Sequence, residues 1–185
     1  MAFHKTPFEG LQVFEPRRFE DERGYFYESY NRRLFEENGI HSKFVQDNQA
    51  FSTRGVLRGL HFQRPPYAQA KLVRVVRGEV LDVVVDLRRE QPTFGKWFAI
   101  RLSEENHKQL YVPRGFAHGY LVLSPEALFL YKCDNYYAPE YEAGIRYDDS
   151  QLNIQWEFPA DQMIVSEKDR GLPTFEELNF LTHGF

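Results

Sequence analysis

The sequence predicts an all-β protein, a sandwich or barrel of short strands with a few short helices. Short apolar, β-branched runs recur along the chain, turns rich in Gly, Pro and Asp separate them, and stretches of helical period are few. Aromatic residues make up 16% of the chain, with 17 Phe and 11 Tyr, which favours sheet and a concave surface able to stack on rings. At 185 residues the chain suits a single domain, 1–185, with room for a substantial core.

Taken in order, Leu11 to Phe14 is a strand interrupted by Pro16, and Asp21 to Gly24 is a turn before a strand at Tyr25 to Tyr27. Asn31 caps a short helix through Glu37 that Gly39 ends, with Leu34 and Phe35 on its apolar side. Phe44 to Asn48 is extended, Val56 to Gln63 is a strand, and Pro65-Pro66 breaks it. Lys71 to Arg77 and Val80 to Leu87 form a hairpin around Gly78-Glu79, with Leu81, Val83, Val85 and Leu87 on one face. Phe94 to Leu102, Leu110 to Val112, Tyr120 to Leu123 and Leu128 to Lys132 continue the strands, and Pro113 to Gly119 is a loop carrying His118. Glu140 to Asp149 is polar and turn-rich, Leu152 to Trp156 is a last strand, Ser166 to Gly171 a charged turn, and Thr174 to Leu178 a helix.

The formal net charge of -4 argues against nucleic acid as a partner, so an anionic ligand needs a local cluster of Arg and Lys. Cys133 is the only cysteine, which rules out an intrachain disulfide and a cysteine-based zinc site. No apolar run is long enough to span a bilayer, and the N-terminus lacks the apolar region of a signal peptide. A soluble, cytoplasmic protein is expected, with no membrane partner.

Chemistry concentrates in Gly55-Val-Leu-Arg-Gly-Leu-His-Phe-Gln63 and in Lys71, where Arg58, His61 and Lys71 lie in strongly apolar sequence. Either these side chains snorkel to the surface and His61 is a satisfied core histidine, or the cations serve an anionic ligand. Lys71 shares a face with Val73 and Val75; if that face points inward, Lys71 is desolvated and wants an anion beside it.

Gly55 to Gln63, Lys71-Leu-Val-Arg-Val75, Pro113-Arg-Gly-Phe-Ala-His118, Tyr131-Lys-Cys133 and Ser166-Glu-Lys-Asp169 resemble the dTDP-4-dehydrorhamnose 3,5-epimerase family, in the same order over nearly the whole chain. The resemblance implies a cupin-type jelly roll working as a homodimer without metal or cofactor. Its substrate would be a dTDP-4-keto-6-deoxy sugar nucleotide inverted at C3 and C5. That chemistry needs a base near neutrality, an acid across the ring, and cations where an enolate forms.

By the same resemblance His61 is the base, Asp169 its partner, Tyr131 the acid, and Lys71 with Arg58 the enolate-stabilising cations. Arg23 matches a diphosphate contact, Glu28, Gln46 and Asn48 surround the nucleoside and sugar, and Tyr137 stacks on thymine with help from Phe19. His118, Glu142 and Lys168 fall on further binding positions. Arg58 and His61, three residues apart, would face opposite ways on a regular strand, so Gly59 is expected to bend or bulge it.

Other readings stay open. Pro113 to His118 also matches the second cupin motif, so a metal cupin is a rival, although His61 is followed by Phe62 rather than completing a His-x-His, and His4, His41, His107 and His183 lie in polar or terminal stretches. A single-carbon epimerase, a 3,4-ketoisomerase and a non-catalytic sugar-nucleotide binder are the remaining alternatives.

Overall fold

The computed structural model describes residues 1–181, with side chains through residue 178; His183 lies outside the described residues. Three strands open the chain, β1 (Ala2–Lys5), β2 (Gln12–Glu15) and β3 (Phe19–Asp21), and β3 turns directly into β4 (Gly24–Phe26). Helix α1 (Arg32–Glu37) follows, capped as expected by Asn31, whose Oδ1 accepts from the Leu34 N–H at 3.2 Å. Phe35 anchors it, its ring 5.0 Å from each of Phe3, Phe14 and Tyr30. A fully buried aromatic of this kind contributes roughly 1.5–3 kcal/mol, enough to hold a helix too short to stand alone.

The central strands are β5 (Gln46–Thr53), β6 (Val56–Gln63), β7 (Lys71–Arg77), β8 (Glu79–Asp86) and β9 (Trp97–Ser103). They continue with β10 (Gln109–Val112), β11 (Phe116–Val122) and β12 (Glu126–Cys133). The tail adds β13 (Glu142–Gly144), β14 (Ile164–Val165), α2 (Glu167–Arg170) and α3 (Phe175–Leu181).

One sheet runs β1-β2-β10-β7-β12-β5 and the other β13-β6-β11-β8-β9, with β14 added beside β6, while β3 and β4 form a separate ribbon. From β5 to β13 the strands alternate between the two sheets, save for the β8–β9 pair, which stays in one, the arrangement of a cupin-type jelly roll. Between the sheets lies an interior of Val73, Val75, Leu110 and Phe129 from one side and Val80, Val84, Leu102 and Val122 from the other. The second face of β8, Leu81, Val83 and Val85, points away from that interior and is covered by Ile145, Leu152, Ile154 and Trp156 of the tail. Lys71 therefore stands on the inward row with Val73 and Val75. The far end of the interior is sealed by Asp86, which accepts from Arg88 and Thr93, while Arg88 lies 4.5 Å from the Phe116 ring.

Several expectations are corrected. Pro113 to Gly119 is not all loop: Phe116 opens β11, where Phe116, Tyr120 and Val122 face inward and Ala117 and Leu121 outward, so His118 sits mid-strand. Leu152 to Trp156 forms no strand, because Asn153 and the following Glu157 take φ values of 46 and 56 that turn the backbone away from any partner. Ser166 to Gly171 is a short helix rather than a turn, capped by Ser166, whose Oγ accepts from the Asp169 N–H at 3.1 Å. The polar stretch after Glu140 contains β13, which pairs with β6, and the extended piece at Phe44 to Asn48 continues to Thr53 as β5. Strand β9 starts at Trp97, later than the run from Phe94 suggested. The expected hairpin of Lys71–Arg77 with Val80–Leu87 does not form: the chain crosses at Gly78 from one sheet to the other, so β7 pairs with β10 and β12 while β8 pairs with β11 and β9. No helix among the described residues is long and apolar enough to cross a membrane.

The tail is a structural element in its own right. Trp156 is buried and its Nε1–H donates to the Tyr147 carbonyl at 2.9 Å. Trp156→Ala is expected to cost about 3–5 kcal/mol, read as a lowered urea midpoint.

Candidate active site

Two adjoining cavities of about 310 and 300 Å³ share His61, Lys71 and Tyr131 in their walls and form one cleft between the sheets. His61 reaches it from β6 in one sheet, Lys71 and Tyr131 from β7 and β12 in the other. The imidazole and the phenol thus approach the same space from opposite walls.

Arg58 and His61 both line the cleft because β6 carries a bulge. Tyr120 pairs with Arg58 and His118 with His61, so the two residues Gly59 and Leu60 oppose the single Gly119. Gly59 has φ +128 and its peptide to Leu60 is cis. A Cβ at Gly59 would stand 2.6 Å from the Gly119 Cα, so the position admits only glycine.

The same bulge presents the Gly59 N–H to Asp169 Oδ2 at 3.1 Å, while His61 Nε2 lies 2.7 Å from Asp169 Oδ1. The two residues are 108 apart in sequence. Strand β14 brings them together by pairing in parallel with Val56 and Leu57 of β6, which sets α2 beside the bulge. Burial alone would raise the Asp169 carboxyl, but the hydrogen bond and charge of His61, with the Gly59 N–H, hold it below its ordinary value of 3.8. With Nε2 engaged by the carboxylate, His61 Nδ1 is the ring atom left for a ligand.

Neither the Lys71 Nζ nor the Tyr131 hydroxyl has a hydrogen-bond partner among the described residues, and Nζ lies 5.9 Å from the Tyr131 ring centre. Burial pulls the Lys71 ammonium below its ordinary 10.5, with Cys133, Asp82 and Glu142 acting in the opposite direction. Burial raises the Tyr131 phenol, so it holds its proton, and the Arg58 guanidinium offsets part of that rise. Arg58 is steadied through Nε–H to Ser52 Oγ at 3.0 Å.

Gln46, Asn48, Tyr137 and Glu142 line the outer half of the cleft. Gln46 accepts from the Tyr137 N–H at 3.2 Å and donates to Asn48 Oδ1 at 3.0 Å; Asn48 in turn donates to Cys133 Sγ at 3.7 Å. The Tyr137 hydroxyl donates to Glu142 at 2.7 Å, and Lys168 reaches the same carboxylate at 2.8 Å. His118 lines the inner half, paired with Asp82 at 2.9 Å.

Three expected residues are not brought to the cleft of this chain. Phe19 and Arg23 lie on the β3–β4 ribbon, where Arg23 pairs with Asp21, and they line a separate surface recess; Glu28 lines neither half of the cleft. Conversely, the sequence reading passed over Tyr120, Ser166 and Asp82. A lone Asp in the apolar run of β8 was the signal for the last of these. Among the described residues no three His, Cys, Asp or Glu side chains converge as a metal site.

Comparison with known proteins now bears on this geometry. A family model described as dTDP-4-dehydrorhamnose 3,5-epimerase matches residues 5–177. The chain belongs to the dTDP-4-dehydrorhamnose 3,5-epimerase family. A relative of that name from Methanothermobacter thermautotrophicus is 51% identical over 176 residues, 95% of each chain. The crystal structure of an Elizabethkingia anophelis dTDP-4-dehydrorhamnose 3,5-epimerase superposes with a TM-score of 0.93 at 53% identity, covering 97% of this chain and 98% of the other. A Legionella pneumophila dTDP-6-deoxy-D-glucose-3,5-epimerase, solved with dTDP-4-keto-L-rhamnose, gives 0.94 at 45% identity over 100% of this chain and 98% of that one.

Two predictions concern how this epimerase-family cleft is held. Gly59→Ala is expected to destabilise the fold by about 2–4 kcal/mol through backbone strain and collision with Gly119, measured by equilibrium denaturation. Because the folded Asp169 carboxyl is lowered, its pairing stabilises the protein fully above 3.8 and is lost as pH falls through the lower folded value. The stability gap between wild type and Asp169→Asn should therefore narrow on acidification below about pH 4, in urea titrations run across that range.

Proposed function

We propose that this chain inverts C3 and C5 of dTDP-4-dehydro-6-deoxy-D-glucose, giving dTDP-4-dehydro-L-rhamnose, by proton exchange at the carbons flanking the ketone. The observation that carries the reading is the position of the His61–Asp169 pair and the unpartnered Tyr131 phenol on facing sheets of one cleft, with Lys71 between. His61 Nδ1 takes the proton from the carbon, and the C–H electron pair moves into an enolate. Asp169 holds the ring orientation and balances the imidazolium that results. The oxygen charge grows against Lys71 and Arg58, preset cations that need no rearrangement as the reaction proceeds. Tyr131 gives its proton to the opposite face of the carbon, leaving a phenolate that Arg58 stabilises. Proton return from imidazolium to phenolate through solvent resets the pair for the second carbon.

Gln46, Asn48, Tyr137, Glu142 and Lys168 then serve the sugar and nucleoside, with His118 deeper in the cleft. A homodimer completes the nucleotide end. The β3–β4 ribbon pairs with neither sheet and leaves Phe19 48% and Phe26 69% exposed, an apolar edge that wants a cover. Seated on a second copy, it would add Phe19 for stacking, Arg23 for the diphosphate and Glu28 beside them.

Proton NMR of the keto sugar in deuterated water tests the base directly: wild type is expected to incorporate deuterium at C3 and C5, and His61→Ala to lose at least 100-fold in rate (about 10²–10⁴). Exchange at C3 alone would reassign the chain as a single-carbon epimerase. Lys71 supplies a pH signature. Since burial lowers its ammonium, activity is expected to fall with rising pH before the ordinary 10.5 is reached, and Lys71→Arg to push that alkaline limb upward. Phe19→Ala and Arg23→Ala should raise KM while kcat holds, and sedimentation of the wild type should give a dimer.

A further inference from the structure

Strand β8 sends one carboxylate into the interior. Asp82 shares the inward row with Val80 and Val84 and is 0% exposed. Its two oxygens lie 3.1 and 2.9 Å from His118 Nε2, and His118 itself is 7% exposed on the neighbouring strand β11. His118 Nδ1 has no hydrogen-bond partner among the described residues, and its ring leans on Phe129 at 6.1 Å and 27°. The wall of the cleft beside His61 thus holds a second carboxylate–imidazole pair, cross-strand from the first, since His118 is the register partner of His61.

A buried carboxylate is a poor source of stability, because desolvation consumes most of what its partner returns. The neighbourhood gives this one another task. Lys71 faces Asp82 from β8, His118 from β11, His61 from β6, Glu142 from β13, and Tyr131 and Cys133 from β12. The Tyr131 and Cys133 acids are both raised by burial and so remain neutral near pH 7, while Glu142 is already held by Lys168 and Tyr137. Asp82 is the carboxyl buried deepest near the ammonium; burial pushes it above its ordinary 3.8, and His118 and Lys71 pull it back toward the charged form.

We propose that Asp82 is a positioning residue for the epimerisation, orienting His118 toward the cleft through Nε2 and keeping Lys71 in its ammonium form for the growing enolate. The inference rests on the epimerase reading above. Without Asp82, the desolvated Lys71 would lose one of the negative charges that favour its ammonium form, and would give up its proton more readily.

The test is the pH dependence of kcat and kcat/KM for dTDP-4-dehydro-6-deoxy-glucose with full-length wild type, Asp82→Asn and Asp82→Ser. The first variant is isosteric and the second smaller, so misfolding of one leaves the other readable; circular dichroism and dTDP affinity report the fold and the nucleotide site. The expected result is an alkaline limb moved to lower pH by about 1 unit, kcat reduced by up to about tenfold on that limb and recovering toward wild type in acid, with dTDP affinity changed less than threefold. In a Lys71→Arg background, where the charge cannot be lost, the limb should not move on adding Asp82→Asn. An unmoved limb in folded variants, or a loss of activity equal at every pH, would overturn the role of Asp82. A wild type that leaves C3 and C5 unexchanged would instead overturn the epimerase reading on which it rests.

Discussion

The cleft depends on two residues of β6 opposing one of β11. On an unbroken strand, Arg58 and His61 would point to opposite sides of the sheet, and one of them would be pressed into the apolar layer under the tail. The bulge at Gly59 lets Leu57, Leu60 and Phe62 stay in that layer while Arg58 and His61 both face the interior. It also frees the Gly59 N–H, which finds Asp169. One local irregularity therefore sets Arg58, aims His61 and anchors Asp169. Its cost is a close approach of two backbones that Gly59 and Gly119 alone permit.

Around this bulge the charges fall into a pattern suited to proton transfer α to a ketone. The carboxylates in the cleft wall and behind it are each engaged: Asp169 with His61, Glu142 with Lys168, and the fully buried Asp82 with His118. Lys71 and the Tyr131 hydroxyl have no hydrogen-bond partner among the described residues, and they are the groups that the proposed mechanism asks to meet an oxyanion and to give up a proton. Desolvation acts on both in the useful direction, keeping the phenol protonated and placing the ammonium where a developing negative charge is worth most.

Much of this was legible in the sequence, for physical reasons. Period-two runs identified β7 and β8 as strands though not the sheets they join, Asn31 and Gly39 bounded α1, and the cations stranded in apolar sequence marked the cleft before any partner was visible. The clash of phase between Arg58 and His61 pointed to Gly59, and the structure has the bulge there. What failed was information held by distant contacts. Strand β11 was hidden because Pro113 and Gly115 read as loop and because His118 and Gly119 lack the apolar character of their strand. The alternation of Leu152, Ile154 and Trp156 reflects burial against a sheet, not pairing within one. Asp82 was overlooked because attention fell on the outward row of β8, whereas its meaning appears only once Lys71 and His118 stand beside it. Phe19, Arg23 and Glu28 lie outside the cleft of this chain, and only the proposed homodimer would bring them to a site.

The central claim is that base and acid act from opposite walls on opposite faces of the sugar ring. Tyr131→Phe in deuterated water tests it most directly, because it removes the acid and leaves the His61–Asp169 pair intact. Deuterium should still enter at the acidic carbons through His61, but with configuration retained and inverted product suppressed. Inverted, deuterated product forming at the wild-type rate would contradict the account, since the proton delivered to the far face would then come from somewhere other than Tyr131.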